Sequence, residues 1–189
     1  MTGIFFVRHA QPDESWEDDR TRPLTALGIK DSLKVTEILE KFKIDIIYSS
    51  PFKRSIDTIS DYINKYNMTV FIDERFRERK RGIKSNDLLE KRWDDFSFCE
   101  ENGENLESVQ KRNIEALTEV LNKHTGKNIV IGTHGTALST ILNFYGPASF
   151  GGCDGFKRIW PSMPYIIRVD FKDMQKINST ELLKIDRDY

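Results

Sequence analysis

Two arginines and two histidines in this sequence stand where an apolar run gives way to polar chain. Arg8-His9 closes the run Ile4-Phe5-Phe6-Val7. His134-Gly135 follows a second run, Asn128 to Gly132, and Arg54 lies just past Ser49-Ser50-Pro51. Arginine presents a planar fork that matches phosphate oxygens two at a time. Each charge-assisted hydrogen bond of this kind is worth roughly 1.5–3 kcal/mol net. Two such arginines can neutralise a phosphoryl dianion and hold it while an in-line geometry forms. The backbone N–H of Gly135, near the start of the next helix, adds a donor. Imidazole, with an ordinary pKa near 6.5, is largely neutral at pH 7 and therefore nucleophilic. His9 is thus the candidate nucleophile toward phosphorus, inside an anion pocket formed with Arg8, Arg54 and His134. The chain has three histidines, no cluster with zinc-ligand spacing and no phosphate-cradling glycine loop, so neither a metal nor a cofactor is expected. The third histidine, His124, sits at a helix end and reads as structural.

These residues share a site only if the runs before them are strands of one sheet. Ile4 to Val7 reads as a short strand covered on both faces, which suits a parallel α/β sheet. In such sheets ligands bind beyond the carboxyl ends of the strands. Ile44 to Tyr48, Thr69 to Ile72 and Asn128 to Gly132 read as three more strands. Thr25 reads as the N-cap of a helix whose apolar stripe is Leu27, Val35, Ile38, Leu39 and Phe42. Pro51 opens a second helix, to about Tyr66, with Ile56, Ile59, Tyr62 and Ile63 facing inward. Leu106 to Leu121 and Ala137 to Tyr145 read as further helices. Ile159 to Phe171 and Thr180 to Ile185 read as a hairpin or two edge strands. The expected fold is α/β: a three-layer sandwich with a central, mostly parallel sheet and helices on both faces.

Two segments interrupt this alternation. Gln11 to Arg22 is a polar loop at the mouth of the presumed site. Residues 73–105 are strongly charged and lack an apolar period, apart from one short helix predicted at Asp87 to Trp93. A connection this long is uncommon unless it is functional, so it reads as a lid-like excursion within one domain spanning residues 1–189. Its basic cluster, Arg75 to Lys84, reads mainly as a solvated face. Trp16, Trp93 and Trp160 read as packing residues.

A net charge of −1 argues against a nucleic-acid partner held by a global positive field. No apolar stretch approaches the roughly 20 residues of a membrane span, so no membrane partner is expected. The first residues lack a secretory pattern, and Cys99 and Cys153 suit free thiols, so a cytoplasmic location is expected. The sequence assigns no oligomeric state.

An ordered set of motifs carries a family resemblance: Val7-Arg8-His9-Ala10; Pro23-Leu24-Thr25 followed by Gly28; Tyr48-Ser49-Ser50-Pro51 with Arg54 and Thr58; Gly103-Glu104-Asn105; and Ile131-Gly132-Thr133-His134-Gly135. The chain resembles the histidine phosphatase superfamily, in the branch that includes the cofactor-dependent phosphoglycerate mutases. The resemblance implies a phosphoglycerate mutase-like fold and a metal-independent phosphatase, working through phosphohistidine at His9. It implies phosphoryl-oxygen contacts from Arg8, Arg54 and His134. It also implies a carboxylate that protonates the leaving alkoxide and then activates water, a contribution worth roughly 10²–10⁴-fold. Phe76-Arg77-Glu78 matches the family's acid-bearing stretch and assigns that role to Glu78, ahead of Glu74 and Glu104. The implied partner is a phosphorylated small molecule or inorganic phosphate. The alternatives are mutase-type phosphoryl transfer and a phosphoprotein or phosphohistidine phosphatase. Two departures from the mutases, a short chain and a different loop after His9, favour hydrolysis. A third is the basic Arg79-Lys80-Arg81-Gly82, where the family usually has another acidic residue.

Overall fold

The computed structural model describes residues 1–82, 88–146 and 148–187. Its first strand, β1 (Thr2–Arg8), is buried along its whole length. The two faces of that strand enter different cores, as the two-residue period of a strand requires. Ile4 and Phe6 join a cluster with Leu117, Leu138 and Ile141. Phe5 and Val7 join a cluster with Val35, Leu39 and Ile59. That double coverage is why the run is continuously apolar rather than alternating.

The chain then proceeds through α1 (Ala26–Leu39), β2 (Ile46–Ser49), α2 (Lys53–Tyr66), β3 (Val70–Ile72), α3 (Leu89–Asp94), α4 (Leu106–Lys123), β4 (Asn128–Thr133), α5 (Gly135–Tyr145), α6 (Gly152–Ile159), β5 (Ser162–Lys172) and β6 (Gln175–Asp186). One six-stranded sheet has the order β3-β2-β4-β1-β5-β6. The β1–β4, β4–β2 and β2–β3 pairs are parallel. The β1–β5 and β5–β6 pairs are antiparallel. The crossovers from β1 to β2 and from β2 to β3 run the same way across the sheet. Right-handed connections therefore put α1 and α2 on one face. The return from β3 to β4 reverses direction and carries α4 to the other. This is the expected α/β sandwich. β1 and β4 lie side by side where the order reverses, which is where such sheets bind ligands. Among the described residues no helix is long and apolar enough to cross a membrane.

Several local expectations need correction. The tail strands form a hairpin, but only β6 is an edge strand, because β5 lies between β1 and β6. Ile159 ends a helix rather than starting a strand. That helix, α6, escapes a sequence reading because Gly151, Gly152 and Gly155 make it look like a loop. Of the short helix predicted at Asp87 to Trp93, Leu89–Asp94 is helical, while Asp87 lies outside the described residues. Trp93 is buried with Leu106 and Phe156, but Trp16 and Trp160 are about half exposed.

Leu27 is also exposed, so the buried stripe of α1 begins one residue later, at Gly28. Thr25 caps the helix by accepting from the N–H of Gly28 at 2.9 Å, and its own N–H donates to the carbonyl of Gln11. These bonds draw the loop so close that a Cβ on Gly28 would stand 2.3 Å from the Gln11 carbonyl oxygen. Gly28→Ala is therefore expected to lower stability by about 1–3 kcal/mol, the cost of overpacking against fixed backbone. Urea denaturation checks this, and an unchanged midpoint would show that the loop gives way freely.

Candidate active site

His9 follows directly on β1. Its N–H donates to the Thr133 carbonyl at the end of β4, and the next N–H, of Ala10, donates to Thr58 Oγ1 at 2.9 Å. Thr58 Oγ1 in turn donates to the Arg54 carbonyl at 2.7 Å, so α2 clasps the end of β1. His9 is 6% exposed. Its Nδ1 lies 2.8 Å from the Ala10 carbonyl oxygen, which can only accept. Nδ1 therefore carries the proton, and Nε2 keeps the lone pair. Burial, then the charges of Arg54 and Arg8, hold the imidazole pKa well below its ordinary value. The ring is neutral at pH 7, the form that attacks phosphorus.

The two arginines reach the site from different directions. Arg8 Nη1 donates to the carbonyls of Ile159, Trp160 and Ser162 at 2.6, 2.8 and 3.0 Å. Arg54, 4% exposed, packs its guanidinium 4.9 Å from the Phe52 ring. Its Nη1 donates to the Asp19 carbonyl at 2.5 Å and lies 3.1 Å from the Asp19 carboxylate. Arg8, His9, Arg54, Glu78 and Gly135 line one cleft of about 140 Å³. Gly135 opens α5, and a Cβ there would stand 3.2 Å from the Arg8 guanidinium carbon. Glycine lets the helix start against that arginine.

Glu78 reaches the same cleft across the first turn of α5. Its Oε2 accepts from the N–H of Thr136 at 3.1 Å, and its Oε1 accepts from Ala137 at 3.2 Å and Arg79 at 2.7 Å. The first turn of a helix holds unpaired N–H groups that a carboxylate satisfies. The two fallback carboxylates are elsewhere. Glu74 is exposed and paired with Arg20. Glu104 is held between Arg77 and Arg112, which outweigh its burial and bring its pKa down to about 2, too low for proton delivery near neutrality.

His134 is fully buried, its ring centroid 5.2 Å from that of His9 and its Nε2 2.7 Å from Ser50 Oγ. It is not among the residues that line the cleft. Burial, then Arg54, also lowers its pKa well below the ordinary value. His124, the remaining histidine, shares a 2.9 Å hydrogen bond with the Tyr48 hydroxyl.

The basic cluster is not simply a solvated face. Arg75 pairs with Asp73 and Glu119, Arg77 with Glu104, and Arg79 with Glu100. Lys84 lies outside the described residues. Arg81, next in that alternating series, lines the cleft, as do Thr136 and Trp160. Sequence reasoning did not single these out as cleft residues. A basic run signals partners but does not say which member lacks one, and Trp160 becomes a wall only through α6.

The two buried histidines give the fold a defined acid response. The unfolded chain protonates them below about pH 6.5, while the native site resists protonation. The unfolded state then binds more protons, so stability falls as pH drops. Each imidazole contributes a loss of about 1.4 kcal/mol per pH unit between its unfolded and folded pKa values. Melting temperature is expected to fall steeply from pH 6.5 to 5.5, and less steeply in His9→Gln. Parallel curves for the two proteins would show that His9 titrates normally in the fold.

Three comparisons bear on this site. The profile of the histidine phosphatase superfamily (branch 1) matches residues 4–152. The uncharacterized phosphatase PhoE of Bacillus subtilis is 30% identical over 150 residues, covering 75% of this chain and 76% of that protein. Phosphoserine phosphatase 1 of Hydrogenobacter thermophilus is 29% identical over 150 residues, 71% of each chain. Among solved structures, the phosphoserine phosphatase of Entamoeba histolytica in complex with 3-phosphoglyceric acid superposes with a TM-score of 0.79. It is 19% identical, covering 97% of this chain and 98% of that one. That structural likeness speaks to the fold, whereas the profile match spans more than half of this sequence. The chain therefore belongs to branch 1 of the histidine phosphatase superfamily.

Proposed function

We propose that this chain hydrolyses phosphomonoesters of small molecules through a phosphohistidine on His9. The observation that carries the reading is a neutral, buried imidazole beside two arginines and a carboxyl group, in one cleft. The phosphate sits between Arg8 and Arg54, with the N–H of Gly135 as a further donor and His134 behind. The His9 Nε2 lone pair forms a bond to phosphorus as the ester O–P bond breaks. The leaving alkoxide takes a proton from the Glu78 carboxyl group. The resulting Glu78 carboxylate then takes a proton from water, whose oxygen attacks phosphorus and breaks the N–P bond. Phosphate leaves, and His9 and Glu78 return to their starting states. Each step is assigned to a side chain, so turnover is expected to persist with a chelator present. In this reading residues 1–189 work as one catalytic domain, and the excursion at 73–105 borders the cleft through Glu78 and Arg81. The relative from Hydrogenobacter thermophilus is named as a phosphoserine phosphatase, which supports a small phosphorylated substrate.

The intermediate is directly testable. Denaturing quench after incubation with a ³²P-labelled monoester is expected to leave label that is stable to base, released by acid, and located on His9. Turnover without such label would rule out the covalent route.

A further inference from the structure

Beyond the phosphate cleft the structure opens a second, larger chamber of about 430 Å³. Glu78, Arg81, Thr136 and Trp160 line both spaces, so the two are continuous. The far wall is carbon-rich: Trp93, Leu106 and Phe156 pack together there, and the Trp160 ring is tilted against Phe156 with centroids 5.2 Å apart. A phosphate bound at His9 must direct its ester oxygen toward Glu78, which stands at the opening of this chamber. A third space of about 660 Å³ also opens at Glu78, but its lining is mainly charged side chains of residues 14–22 and 74–81, so of the two only this chamber offers the alcohol half of the ester an apolar wall.

Charge narrows what that alcohol carries. Arg79 and Arg92 both pair with the buried Glu100, and Lys157 pairs with Glu90 at 2.8 Å. Arg81 has no ion pair among the described residues, and it is exposed at the junction of the two spaces. Its charge also reaches His9. A guanidinium with no ion pair among the described residues, beside an apolar wall, is complementary to an anion on a carbon-rich body.

We propose that the second chamber holds the alcohol portion of the substrate, a carbon-rich body with a second negative charge that Arg81 binds at the junction. This rests on the phosphatase reading above. Arg81 is the specificity-determining residue in this scheme, and Trp160 supplies a flat apolar surface beside it. Hydrolysis then releases an anionic, carbon-rich alcohol.

The test compares phenyl phosphate with 3- and 4-carboxyphenyl phosphate, using wild type, Arg81→Gln and Arg81→Lys. The wild type is expected to favour at least one carboxylated ester by about tenfold or more in kcat/KM, mainly through KM, as one charge-assisted hydrogen bond allows. Arg81→Gln is expected to bring that ratio near one, and Arg81→Lys to restore part of it. The ratio within the glutamine variant calibrates the esters' intrinsic reactivity. A preference as large in Arg81→Gln as in the wild type, or none in the wild type, overturns the assignment. Equal loss on all esters places Arg81 on the transferred phosphate instead, and also overturns it. Failure to hydrolyse any ester overturns the phosphatase reading, and this inference falls with it.

Discussion

His9→Ala is expected to lower kcat for p-nitrophenyl phosphate by at least about 10⁴-fold, the scale seen when a covalent nucleophile is removed. Among the described residues no neighbouring group is placed to take over. His134 has its Nε2 engaged with Ser50 and is fully buried. The Glu78 oxygens are engaged by three backbone N–H groups. Binding should survive, because Arg54 is held by Phe52 and Asp19, and Arg8 by three carbonyls. Inorganic phosphate should therefore still bind, with an affinity within a few-fold of wild type. The variant also loses a buried imidazole that resists protonation, so it should be no less stable than wild type at pH 5.5. More than about 1% residual turnover in a folded, phosphate-binding variant would remove His9 from the nucleophile's role.

Glu78→Gln is expected to cost about 10²–10⁴-fold in kcat on an ester whose alcohol leaves poorly, such as glycerol phosphate. p-Nitrophenolate needs no proton to depart, so the first step on that ester should be much less affected. The second step still needs a base for water, and the amide supplies none. Phosphoenzyme should therefore build up on p-nitrophenyl phosphate, with a burst of nitrophenolate before a slow steady state. Glu78→Gln also turns an NH₂ group toward one of the backbone N–H donors, which predicts a modest loss of stability. A purely structural role for Glu78 would lower both esters equally and give no burst. That pattern would shift the acid–base assignment to another group.

Much of this site is legible in the sequence for one physical reason. A strand covered on both faces is written as an apolar run, and its end is marked where that run stops. Arg8-His9 and His134-Gly135 are located this way, because the polar residue after a buried strand emerges at the carboxyl edge. Arg54 is legible through the Ser-Ser-Pro helix start. Glu78 is legible through resemblance alone, since nothing in its charged surroundings sets it apart from Glu74 or Glu104. What separates the three is tertiary: Glu78 finds the first turn of α5, while Glu104 is claimed by Arg77 and Arg112. The full burial of His134, with its Nε2 against Ser50, depends on how β4 and α5 meet. The pairing of Arg75, Arg77 and Arg79 depends on residues up to 44 positions away, which no local pattern encodes.

The anchoring of Arg8 has a consequence for how small a working version of this chain could be. The arginine sits in the first ten residues, yet the carbonyls that orient it belong to residues 159–162. Those lie past residue 152, where the family match ends. β5, from the same stretch, also covers the flank of β1 that β4 leaves open. A fragment cut at residue 152 would keep every motif residue, from Arg8 through His134. It would nonetheless expose the backbone of its most apolar strand and let the first phosphate-binding arginine swing. The span that can be recognised by sequence is thus shorter than the span that can do the chemistry.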